Sequence, residues 1–103
     1  MKIVKRPLFV SDVEGCADYL FTESGEATAR RWKASLDKAV ALISKFPEIG
    51  RLREDLGVPG VRTIFLKNFP RYMIFYRLER ATIELLRVRH GMMHLPGLFE
   101  KES

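Results

Sequence analysis

The chain is poor in most of the residues that small proteins use as staples or metal ligands. One cysteine in 103 residues, Cys16, leaves no internal disulfide and no cysteine pair for a metal. We expect Cys16 to be a small core residue. Two histidines, His90 and His94, and no carboxylate pair at helical ligand spacing leave no recognisable metal site, and nothing in the chain asks for a cofactor. No apolar run approaches the roughly 18 to 20 residues of a membrane span, and Met1 to Arg6 lacks the apolar middle of a signal peptide. The expectation is a cytoplasmic protein with no membrane partner. Internal repeats and low-complexity stretches are also missing.

What is present suits one compact domain over residues 1–103, with 47% hydrophobic and 11% aromatic residues to build a single core. Net charge is +5, and it is unevenly spread. Residues 1–50 are nearly neutral. Residues 51–90 hold Arg51, Arg53, Arg62, Lys67, Arg71, Arg77, Arg80, Arg87 and Arg89 against only Glu54, Asp55, Glu79 and Glu84. Such a basic half points to an acidic partner, nucleic acid or polypeptide, or simply to a solvated basic surface.

Lys2 to Lys5 is short and β-branched, and Pro7 behind it suits the first turn of a helix. Phe9, Val13, Ala17 and Leu20 then recur at helical spacing, predicting a helix over about 8–22 that Ser24-Gly25 breaks. From Glu26 to Lys45 the stripe Ala29, Trp32, Leu36, Ala39, Val40, Ile43 predicts a long amphipathic helix, ended before Pro47. Phe46 to Gly60, "FPEIGRLREDLGVPG", has no sustained period and reads as a connecting loop. Beyond it the period changes to two, and strands are expected at about 61–67, 71–79 and 82–90, joined by short turns into an antiparallel meander. The order is β-α-α-β-β-β: an α+β fold with a helical hairpin on one face of a small sheet.

Alternation sorts the strand faces. Tyr72, Ile74, Tyr76 and Leu78 fall on one side of their strand, Arg71, Met73, Phe75 and Arg77 on the other. In the last strand unbroken alternation puts Ile83, Leu85, Arg87 and Arg89 on one face, opposite Glu84, Leu86, Val88 and His90. Both strands are apolar on both faces at mid-length, so the sheet face away from the helices should be partly covered. A face turning from apolar to basic suits a peptide with acidic residues or a phosphate backbone, and composition does not separate them. His90 is either a packed strand-end residue or a general base for RNA 2′-hydroxyl attack.

"FPEIGR" (Phe46–Arg51), "RYMIFYRLE" (Arg71–Glu79) and "IELLRVRHG" (Ile83–Gly91), in this order, resemble the RelE/ParE superfamily of toxins from bacterial type II toxin-antitoxin systems. The resemblance spans about residues 3–92. It implies a mostly antiparallel sheet carrying a helical hairpin. It also implies a cognate antitoxin, encoded next to the toxin, that wraps it and connects it only indirectly to operator DNA.

Members that cleave mRNA in the ribosome carry cations on the sheet. Arg62 and Arg71 fall on two of those positions, but Ile64, Met92 or Met93 fall on others, and none of these can stabilise a developing phosphate charge. The "RVRHG" ending resembles the ParE branch, whose members inhibit DNA gyrase by binding it and are not nucleases. That group usually continues with a small residue and Arg-Asp, whereas this chain has Met92, Met93 and His94.

The reading is thus a ParE-like toxin with Arg62, Arg71, Arg87, Arg89, His90, Met92 and Met93 as contacts to target or antitoxin. Two alternatives stay open. One is a ribosome-dependent mRNA endonuclease using His90, Arg62, Arg71 and Arg89, and the other is a non-toxic antitoxin-binding scaffold.

Overall fold

The computed structural model describes residues 1–91 and Phe99. Along the chain run β1 (Lys2–Lys5), α1 (Pro7–Ser24), α2 (Glu26–Lys45), β2 (Arg51–Leu52), a 3₁₀ turn (Glu54–Leu56), β3 (Val61–Leu66), β4 (Phe69–Glu79) and β5 (Thr82–His90). Two helices pack on a five-stranded sheet of order β1-β5-β4-β3-β2. β1 runs parallel to β5 and every other neighbour is antiparallel.

Local chemistry accounts for the boundaries. Pro7 opens α1, where a missing N–H costs nothing. Gly25 alone, at φ 89°, makes the break between the helices: its N–H donates to the Phe21 carbonyl and its own carbonyl accepts from Ala29. Ser24 therefore stays helical, two residues past the expected end of α1. The β3–β4 connection is also tighter than expected, with Asn68 at φ 72° and the irregular pairing of Phe65 and Leu66 accommodating Pro70 in a strand. The loop expected over residues 46–60 holds two more elements, β2 and the 3₁₀ turn. Each is too short for a hydrophobic period to register.

The main core lies between helices and sheet. Trp32, Ile43, Ile74, Tyr76, Ile83, Leu85 and Val88 are all fully buried there. A second cluster, Val61, Met73, Phe75 and Leu86, sits on the opposite sheet face. Leu56, Val58 and Phe99 pack over it, the Phe99 ring edge-on to Phe75 at 6.3 Å. This is the partial cover that two-faced apolar strands required. Arg53, 9% exposed, closes it with its guanidinium 5.9 Å from the Phe75 ring and a two-bonded pair to Asp55. That hydrogen bonding holds the Asp55 carboxyl at about 2.

One expectation about the strands fails. Phe75 pairs with Arg87 and Tyr76 with Leu85, so Leu86 is an extra residue in β5. An extra residue reverses the alternation after it. Ile83, Leu85 and Val88 share the main core, while Leu86 joins the second cluster; the continuous face Ile83-Leu85-Arg87-Arg89 does not exist.

Residues 46–50 are clasped from beneath. The Tyr76 hydroxyl donates to the Pro47 carbonyl and accepts from the Gly50 N–H, each at 2.8 Å. Arg62 donates to the carbonyls of Glu48 and Gly50. A β-carbon on Gly50 would lie 2.6 Å from the tethered phenol oxygen of the buried Tyr76. Gly50→Ala is therefore expected to lower the unfolding free energy by about 1–3 kcal/mol, as overpacking does. Urea denaturation checks it, and an unchanged midpoint would contradict the clasp.

Candidate functional site

β1 ends where Lys5 pairs with Leu85, and the Arg6 N–H closes the ladder on the Leu85 carbonyl. Beyond that point the outer edge of β5 has no strand neighbour among the described residues. α1 runs beside it, and one α1 carboxylate bridges the gap. Asp12 Oδ2 accepts from the Val88 N–H at 3.1 Å and from Arg87 Nε at 2.7 Å, while Oδ1 accepts from Arg87 Nη2 at 2.9 Å. The bidentate pair is nearly out of water, with side chains 10% and 14% exposed.

Between α1 and this edge opens a groove of about 740 Å³. Gly15, Cys16 and Tyr19 line it from the helix, and Val88, Arg89 and His90 from the strand, with Tyr72 in its floor. Tyr19 is 61% exposed. The groove is thus apolar along its length with a basic rim.

Its aromatic floor is tied to the core. Tyr72 packs edge-on to Trp32 at 5.5 Å, and His90 stands perpendicular to Tyr72 at 5.1 Å. Cys16 is only partly buried, packing against the core with one side on the groove, so the expectation of a core cysteine is met in part. Burial, and then the charge of Asp12, push its thiol up to about 11, with Arg89 acting the other way. Alkylation of Cys16 at about pH 7.5 should be at least about tenfold slower than that of an unhindered thiol, the loss of thiolate outweighing its greater nucleophilicity. A pH-dependent labelling rate tests this, and free-thiol reactivity would contradict it.

The residues singled out from sequence do not form one cluster. Arg89 and His90 meet at the groove. Arg87 adjoins it, but its side chain is buried against Asp12. Arg62, paired with Tyr76 on the helix face of β3, serves the 46–50 clasp. Arg71 is exposed on the other side of β4, its carbonyl accepting from the Gly91 N–H. Met92 and Met93 lie outside the described residues. Four of the nine cations between residues 51 and 90 are engaged internally, Arg53 on Asp55, Arg77 on Glu84, Arg87 on Asp12 and Arg62 on backbone carbonyls.

Sequence reasoning missed the helix side of the groove. A signal was available in Asp12, three residues after Phe9 and four before Cys16, a carboxylate set within the apolar stripe of α1. Among the described residues no cluster of three His, Cys, Asp or Glu side chains is placed to hold a metal, and no helix is long and apolar enough to cross a membrane.

A helical hairpin on a small sheet, with a groove between the first helix and the last strand, defines the α+β module. The chain belongs to the ParE toxin family: the sequence model for the ParE toxin of the type II toxin-antitoxin system, parDE, matches residues 3–95. Its fold is similar to a solved chain of a chromosomal ParDE toxin-antitoxin system from P. aeruginosa, with a TM-score of 0.74 at 21% identity over 87% of this chain and 95% of that one. No curated protein matches.

Proposed function

We propose that this chain acts as the toxin of a ParDE-type pair, that it inhibits DNA gyrase by binding it, and that its cognate antitoxin neutralises it by occupying the α1–β5 groove. The observation carrying the partner assignment is the α1–β5 groove itself. Tyr19, Cys16 and Val88 offer apolar contacts, and the cation of Arg89 at the rim suits carboxylates. The RelE-like reading draws no support from the geometry. Of its four groups, Arg62 is committed to carbonyls near β2, Arg71 lies across the sheet, and His90 packs on Tyr72. A general base and its phosphate-binding cations need to converge on one reacting atom.

Gly15 offers a clean test of the groove. A β-carbon there meets nothing within 4 Å, so Gly15→Arg inserts a bulky cation into the channel while replacing a poor helix former. The variant should melt no lower than the parent and should lose antitoxin affinity by about a hundredfold or more. Unchanged affinity would remove the antitoxin from this groove. Mapping mRNA ends after induction tests the target: transcripts should stay intact, and ribosome-dependent cuts would sink the gyrase reading.

A further inference from the structure

Along α2 the charge is sorted by face. Glu26 pairs with Arg30 and Asp37 with Lys33, each four residues apart, and these ion pairs use both carboxylates of the helix. Arg31, Lys38 and Lys45 are left over. Their seven-residue spacing puts all three on one side of α2, about 10.5 Å from one to the next along its axis. All three are exposed, and none forms a salt bridge with a described carboxylate. Arg31 bonds to the Thr28 hydroxyl at 3.3 Å, and Lys45 sits over the Phe46 ring. The near-neutral sum over residues 1–50 hides this row.

Arg31 and Lys38 open onto a pocket of about 410 Å³ between α2 and the β3–β4 turn, and Lys67 and Asn68 line it from the turn. The turn is fixed to the helix. Ser35, 8% exposed, donates its hydroxyl to the Lys67 carbonyl, Asn68 takes φ 72°, and Phe69 packs against the main core. Three cations and an amide therefore share one concave site that no carboxylate lines. Like charges gathered in this way raise a local positive potential that an anion offsets.

The lining selects the ligand. None of these residues is an exposed large apolar side chain, so the apolar anchor that dominates most protein interfaces is missing. Cationic and amide donors are the groups that hold the phosphate oxygens of nucleic acid. A row of cations suits a chain of phosphates better than one small anion, and a row on a straight helix suits the stiff backbone of a duplex better than a flexible single strand. The site also lies apart from the groove: α1 packs along β5 and α2 along β3, with β4 between those strands. Filling the groove leaves this side of α2 uncovered.

We propose that Arg31, Lys38 and Lys67, with Lys45 next in the row, bind the phosphate backbone of duplex DNA without reading its sequence. Such binding needs neither gyrase nor the antitoxin, so it is tested on the chain alone.

Fluorescence anisotropy of a labelled DNA duplex of about 20 base pairs, titrated with the full chain between about 50 and 200 mM salt, reads the affinity. Arg31→Gln/Lys38→Gln/Lys67→Gln is compared with Lys2→Gln/Lys5→Gln/Arg80→Asn, which removes three exposed cations elsewhere; each lowers the net charge of +5 by three. The α2 variant should bind at least about tenfold more weakly, with the slope of log K against log salt shallower by about 2 to 3, while the control stays within about threefold of wild type. Equal losses in the two variants would mean that net charge alone attracts DNA, and overturn the proposal. So would a wild type that binds no duplex at about 50 mM salt, a single-stranded RNA that binds more tightly, or polyglutamate or inorganic phosphate that competes as well as unlabelled duplex at equal charge. If the α2 variant melts lower than wild type, lysine acetylation of the wild type decides. Duplex should slow the modification of Lys38 and Lys67 but not of Lys2 and Lys5, and uniform slowing overturns the assignment.

Discussion

Arg87→Ala is expected to lower the unfolding free energy by about 3–5 kcal/mol, the range for removing one partner of a buried ion pair. The loss is large because of what stays behind. Asp12 keeps a carboxylate that is 14% exposed, and of its three hydrogen bonds only the one from the Val88 N–H survives. Asp12→Ala should also destabilise the fold, by removing the two charge-assisted bonds to Arg87 and the acceptor of the Val88 N–H. Replacing both, Asp12→Leu with Arg87→Met, should recover most of the loss, since two apolar side chains need no partner; the Val88 N–H remains to be satisfied. Equilibrium urea denaturation of the four proteins checks these costs. A single-variant cost below about 1 kcal/mol would place the pair among ordinary surface contacts.

The functional consequence is specific. Loss of toxicity in an Arg87 variant would report a weakened fold, not a missing contact. Arg89, half-buried at the groove rim, is the better probe of binding.

Trp32 carries the second large effect. It is the largest fully buried side chain, 0% exposed, and holds the Tyr72 ring beneath the groove. Trp32→Ala should cost about 3–5 kcal/mol through lost burial and the cavity left behind. Trp32→Phe should cost under about 1 kcal/mol, because the indole N–H is buried with no acceptor among the described residues. Removing a donor of that kind relieves about 1–3 kcal/mol, which offsets the smaller ring. Denaturant midpoints of both variants decide the matter. A Trp32→Phe cost above about 2 kcal/mol would mean that the N–H makes a bond of its own.

How much of this was legible depends on the range of the interaction. The stripe of α2 showed because 3.6-residue spacing over twenty residues is a local property, and the two-faced apolar pattern of β4 and β5 correctly implied a cover. Two-residue β2 carried no period to see. The Leu86 bulge is set by how β5 pairs with β4, so counting along β5 alone assigned Arg87 and Arg89 to the same face as Leu85. The Asp12–Arg87 pair joins residues 75 apart in sequence. For the same reason only the β5 half of the groove, Arg89 and His90, was visible beforehand, whereas Gly15, Cys16 and Tyr19 look like ordinary positions of an amphipathic helix. The charge count failed differently. It registered nine cations between residues 51 and 90 but not the carboxylates and carbonyls that occupy several of them.

A supercoiling titration tests the proposed toxin activity most directly: purified gyrase and relaxed plasmid with increasing amounts of this chain, then with its antitoxin added back. Supercoiling should fall in proportion to the added chain and return when the antitoxin is supplied, while Gly15→Arg should remain inhibitory and resist the antitoxin. Full supercoiling at every concentration of a correctly folded chain would contradict it.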